Sequence, residues 1–193
     1  MTQVATLKST AVEAIRRAFP VEAPPSAAEM ENDHCPECRE IASIFVGRRW
    51  TDVVPHDLLG NPGPSLLTDR AFEYYLPAMM CCCIEAPDEL DCLPAAVVSE
   101  LSPPRARGGA HRPQRLAAFG RDQAAAIVSF LRFTERWMRE DAYGEEAADV
   151  YEDVAVDKVL ERALEYWSER LSSDVRAAEP DNGATEARQD NAQ

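Results

Sequence analysis

The densest chemistry in the chain lies in five residues, His34-Cys35-Pro36-Glu37-Cys38. A Cys-x-x-Cys pair supports two kinds of reaction. As a redox pair it cycles between dithiol and disulfide, usually after a strand in a βαβ unit. As half of a zinc site it needs a second short-spaced pair of soft ligands. Pro36 predicts a helix start here, because proline is favoured at the first helical position, and it places Cys35 at the N-cap. The helix dipole and a protonated His34 would both stabilise a Cys35 thiolate, and Cys38, one turn on, could resolve a mixed disulfide. A polar loop precedes the motif instead of a strand, which weighs against redox chemistry. For zinc, the missing ligands would have to come from His56, the Cys81-Cys82-Cys83 run or Cys92. Consecutive side chains on a helix point about 100° apart, so the cysteine run cannot converge on one ion. The plainest alternative is packing. Cys38 shares a helical face with Ile41, Ala42 and Phe45, and a free cysteine behaves as a small hydrophobe. His34, Cys35 and Cys38 are therefore the candidate metal or redox residues. The expected cofactor is none, with zinc as the alternative.

A second constellation is basic. Arg105, Arg107, Arg112 and Arg115, with His111, Gly108-Gly109 and Pro113, form a loop expected to be flexible in an otherwise acidic chain. Guanidinium groups so clustered suit an acidic partner or a phosphate; a solvated loop folded onto its own acidic surface is the competing reading. Phe72, Tyr74 and Tyr75 fall at helical spacing and read as core. Ser65, Thr68 and Ser99 have no His and Asp pattern around them, and no phosphate-binding glycine loop or dinucleotide fingerprint occurs.

The elements that must position these residues are helical. Val4, Leu7, Ala11, Ile15 and Ala18 predict a first helix closed by Pro20. Residues 21–28, with Pro24-Pro25, read as a linker. A helix from Pro36 should stop at Gly47. Thr68 is a natural N-cap for a helix running to Ile84, in which Glu73 is the one charge after Arg70. Such a helix is buried on most sides, and Pro77 inside it predicts a kink or a split. Residues 91–101 form a short helix, 122–139 a clear one, and 145–171 a long final one. From Ser172 the composition turns polar and acidic and predicts a disordered tail. No strand alternation and no internal repeat is found.

These residues carry one resemblance. Cys38 with its preceding glutamate, then Phe45-x-Gly47-x-x-Trp50, then Ser65-Leu66-Leu67-Thr68-x-x-Ala71-Phe72-x-Tyr74-Tyr75-Leu76-Pro77, resemble an uncharacterised bacterial domain family. Gln123-x-x-x-Ile127-x-x-Phe130-Leu131 and Ala163-Leu164-x-x-Trp167 are similar to its later part. The resemblance spans Asp33 to Trp167 and implies one compact domain, with no function attached. The cysteine run and the arginine loop stand outside its pattern.

Composition bounds the function. The 193 residues are 46% hydrophobic with a net charge of −14. That charge disfavours nucleic acid and anionic membranes and favours basic partners. No apolar stretch reaches the ~20 residues of a membrane span. Residues 1–19 lack the apolar run of a signal peptide, so a cytoplasmic chain with reduced thiols is expected. The expected organisation is an N-terminal helix (1–19), a linker (20–32), an all-α single-domain bundle of about six helices (33–171) and a tail (172–193). The expected function is a non-enzymatic interaction protein, immunity-like or accessory, that binds another protein. The alternative is a metal or thiol-redox protein centred on His34, Cys35 and Cys38.

Overall fold

A helix with apolar residues on every face must be enclosed, and α4 (Asp69–Glu85) is such a helix. Thirteen of its seventeen residues are buried. The computed structural model describes residues 3–30, 36–60, 63–103, 113–139 and 155–178. Within them the other helices are α1 (Gln3–Ala18), α2 (Ala27–Met30), α3 (Pro36–Phe45), α5 (Leu93–Leu101), α6 (Pro113–Ala117), α7 (Arg121–Trp137) and α8 (Ala155–Ala178). Short 3-10 turns cover Trp50–Asp52, Pro55–Leu58 and Pro64–Leu66. No strand occurs among the described residues, so the all-α expectation holds. α1 lies on α7 and α4, α8 on α7 and α5, and α2, α5 and the turns at 50–58 complete the enclosure of α4.

Local signals set most boundaries. Pro36 opens α3, and Gly47 follows its end at φ +73°, a conformation open to glycine and costly for other residues. Thr68 caps α4: its hydroxyl accepts the Ala71 N–H at 3.1 Å and donates to the Glu29 carbonyl at 2.7 Å. α4 runs unbroken through Pro77, so of the expected kink or split the split does not occur. Proline removes one ladder bond, but Pro77 and its neighbours are packed on every side, and tertiary packing holds the helix.

Three expectations change. The presumed linker contains α2, which is closed by a capping box: the Ser26 N–H and hydroxyl both reach the Glu29 carboxylate, at 2.8 and 2.7 Å. α1 is no appendage, because Ala11, Ile15 and Phe19 belong to the same core as α4 and α7. The last helix continues to Ala178, beyond the predicted end at Leu171. Residues 140–154 and 179–193, which include the expected start of that helix at 145 and most of the expected tail, lie outside the described residues.

Polar groups lock the layers together. The Trp167 indole N–H donates to the Leu101 carbonyl at 2.8 Å, joining α8 to the end of α5. Arg170 donates to the carbonyls of Leu116 (2.8 Å) and Ala117 (3.1 Å) and to that of Phe119, and so covers the C-terminal end of α6. Arg115, only 6% exposed, joins four segments. Its Nε donates to Asp69 at 2.9 Å, its Nη1 to Glu100 at 2.8 Å and its Nη2 to the Leu67 carbonyl at 2.8 Å. The guanidinium also lies 4.5 Å from the centroid of the Phe72 ring.

Arg115→Met keeps the aliphatic stem but strands Glu100 and the Leu67 carbonyl. Asp69 is half exposed and contributes little. The expected loss is about 1–3 kcal/mol, from a partly buried carboxylate and a buried carbonyl left unpaired. Urea denaturation of the variant measures it, and an unchanged midpoint would contradict the role assigned to Arg115.

Candidate functional site

The Cys-x-x-Cys motif meets the structure at Cys38, in the first turn of α3. Its side chain is 3% exposed and faces the core with Ile41 and Phe45, as the helical stripe predicts. Cys38 is disulfide-bonded, so the expectation of reduced thiols throughout is corrected at this residue. Cys81, Cys82, Cys83 and Cys92 are free. His34 and Cys35 lie outside the described residues. A disulfide sulfur is no zinc ligand, because zinc takes the thiolate. Metal binding at Cys38 therefore requires its prior reduction. Among the described residues no three His, Cys, Asp or Glu side chains converge on one point.

The cysteine run is core. Cys81, Cys82 and Cys83 are buried on α4. Burial penalises their thiolates, and it pushes Cys81 up to about 11 and Cys82 up to about 12, with Cys83 well above its ordinary value. Cys82 Sγ also lies 3.8 Å from the Val53 carbonyl. Cys92 is exposed at the start of α5.

The arginine constellation divides. Arg115 faces inward, where Asp69, Glu100 and a backbone carbonyl take its donors. The expectation that it faces a partner is corrected, because desolvating a guanidinium requires several internal acceptors and it has them. Arg105, Arg107 and Arg112 lie outside the described residues.

Sequence reasoning did not single out the loop of residues 46–59, which follows α3. Arg48 organises it. Its Nη2 donates to the Asp52 carbonyl at 2.6 Å and to Asp57 Oδ2 at 2.7 Å, and the same Oδ2 accepts the Val54 N–H at 2.8 Å. The guanidinium beside it and the Val54 N–H hold the Asp57 carboxyl below its ordinary range, and Asp57 in turn raises Arg48. From beneath, the Tyr75 hydroxyl lies 2.7 Å from both the Phe45 and the Arg48 carbonyls. Burial raises that phenol to about 12. Trp50, Val53 and Leu58 point into the core. The strap of residues 19–26 is tied to this loop and to α4: the Trp50 indole donates to the Pro20 carbonyl at 3.1 Å, and the Tyr74 hydroxyl to the Glu22 carbonyl at 2.7 Å. The sequence held one signal of this loop, an arginine and an aspartate nine residues apart around two prolyl or tryptophanyl turns, but nothing local pairs them.

Two surface grooves flank α1. One of about 440 Å³ lies between α1 and α7, between Glu13, Arg17 and Asp122. The other, about 580 Å³, lies beside Lys8, Arg16 and Glu85. Neither is lined by Cys38 or Arg115. No helix among the described residues is long and apolar enough to cross a membrane.

Residues 28–171 match a family of unknown function, DUF6714. No curated protein and no solved structure matches the chain.

Two outcomes are expected. Alkylation of the native, unreduced protein at pH 8, read by mass spectrometry, should modify Cys92 and spare Cys81, Cys82 and Cys83, which react only after unfolding. In acid, the depressed Asp57 binds its proton later in the folded than in the unfolded chain. Its stabilisation is complete above the ordinary carboxylate range of ~4 and lost as pH falls through the folded value. Asp57→Asn should therefore be less stable than wild type at neutral pH, with the gap closing towards acid. A gap independent of pH in chemical denaturation would contradict this.

Proposed function

We propose that this chain, which belongs to the family of unknown function DUF6714, works by holding another macromolecule and performs no catalysis. The observation that supports this most is its charge balance. The chain carries 34 acidic against 20 basic side chains, and several arginines are consumed internally. Arg115 is buried between acids, Arg48 closes a loop on Asp57, and Arg170 covers the end of α6. The chain as a whole keeps a net charge of −14. A surface of that sign raises the encounter rate with a basic partner and repels nucleic acid and anionic lipid. The buried cysteines of α4 fit the same reading, since their raised thiols serve packing. A cytoplasmic protein of immunity-like or accessory type, with a basic protein as partner, is the form this function takes.

One observation favours a second reading. Cys38 alone among the described cysteines is disulfide-bonded, which suits a thiol-redox motif at His34, Cys35 and Cys38; a metal-binding motif there would first need that bond reduced.

Affinity capture with the full chain tests the first reading. A discrete basic protein should be retained at low ionic strength and released by salt, and no retained partner at any ionic strength would overturn it. Arg105→Ala/Arg107→Ala/Arg112→Ala in the same experiment tests the arginine loop, which unchanged capture would remove. Metal analysis of reduced protein tests the second reading: one equivalent of zinc, absent from Cys38→Ser, would replace the first reading.

A further inference from the structure

We infer that Cys38 is bonded to Cys35 and that this bond is a thiol–disulfide exchange site, at which the chain takes two electrons from an external dithiol through attack on the Cys35 sulfur, with Cys38 as the resolving thiol. This rests on the thiol-redox reading above and leaves the binding reading untouched. Counting identifies the pair. The chain has six cysteines. Cys81, Cys82, Cys83 and Cys92 are free, and Cys38 is bonded. Cys35 is the cysteine left. It lies outside the described residues, immediately before the proline that opens α3.

The bond is a poor staple. A disulfide stabilises by closing a loop in the unfolded chain, and the effect grows with the length of that loop. Here the loop is short, since only Pro36 and Glu37 separate the two cysteines. One cysteine precedes α3 and the other sits in its first turn, so no second element is tied down. α3 is seated by other means. Ile41, Ala42 and Phe45 are buried, and the Phe45 ring lies 4.4 Å from that of Tyr75. Electron exchange is the role left for the pair.

Burial sets the direction of attack. An incoming thiolate needs access to the sulfur it strikes. Cys38 is 3% exposed and faces the core with Ile41 and Phe45, so the strike falls on Cys35. The S–S bond breaks, Cys38 leaves as a thiolate and takes a proton from water, and a mixed disulfide joins Cys35 to the substrate. The second thiolate of the substrate then attacks its partner sulfur in that mixed disulfide and expels Cys35 as a thiolate. The substrate ends as a disulfide, oxidised by two electrons, and the chain ends as a dithiol. Cys38 departs into the first turn of α3, where the helix dipole favours an anion. The core cysteines do not intercept the exchange. Burial pushes Cys81 up to about 11 and Cys82 up to about 12, so neither offers a thiolate at neutral pH.

Glutathione is the probe. Full-length protein isolated in air without reductant is equilibrated across a range of reduced to oxidised glutathione, quenched in acid, alkylated in denaturant and mapped by mass spectrometry. The disulfide between Cys35 and Cys38 should give way to two alkylated thiols while helical circular dichroism is retained, and partly reduced samples should carry glutathione on Cys35. Cys38→Ala should accumulate that adduct and Cys35→Ser should lose it, with exposed Cys92 as the internal reference in both. The wild-type titration decides the matter even where a variant does not fold. A bond that no glutathione ratio reduces while the helices persist would overturn the site and the thiol-redox reading together. So would a Cys38 that is unbonded or bonded to another cysteine. Glutathione on Cys38 as readily as on Cys35 would overturn the direction of attack and leave the redox pair standing.

Discussion

A helix that is apolar around its whole circumference cannot sit at a surface, and the architecture follows from giving α4 neighbours on every side. Burial of this kind is the main favourable term in folding. It obliges α1, α2, α5, α7 and the turns at 50–58 to lie against α4. It also explains why α1 shares the core although it precedes the matched family segment. Ala11, Ile15 and Phe19 cover a side that would otherwise be open to water.

Enclosure raises a second requirement, since the polar atoms of α4 must find partners inside. The cap residue and the two tyrosines do so by reaching backbone carbonyls of neighbouring segments. Thr68 reaches Glu29, Tyr74 reaches Glu22, and Tyr75 reaches Phe45 and Arg48. These bonds hold the strap and the 46–59 loop in place without regular structure. The same economy places Arg115, whose guanidinium joins the start of α4 to α5, α6 and the 64–67 turn while lying over Phe72. A helix dense in apolar side chains thus fixes both the core and the loop on the far side of its tyrosines.

Legibility in the sequence tracked the range of the forces. Pro36 and Gly47 around α3, and Thr68 before α4, act within one turn and could be read directly. The burial of Cys38 and of the Cys81 to Cys83 run followed from helical spacing and company. The Ser26-x-x-Glu29 box was equally local, but the neighbouring Pro24-Pro25 masked it as a linker. Arg115 was misjudged because its nearest sequence neighbours are basic and flexible in type, while its acceptors lie 46 and 15 residues away. Pro77 does not split the helix for the opposite reason: a local penalty was real, and packing from distant elements outweighed it.

The sequence by itself determined the helical class, the main helix boundaries, the buried character of α4 and the acidity of the whole. These depend on side-chain periodicity, caps and composition, which are properties of short windows or of sums. The tertiary structure alone decided which arginines face inward, that Val54 and Leu59 stay in water while Trp50, Val53 and Leu58 leave it, and which loop the two tyrosines hold. Those outcomes turn on desolvation and hydrogen-bond satisfaction. Both depend on groups far apart in the chain, and no spacing within a segment encodes them.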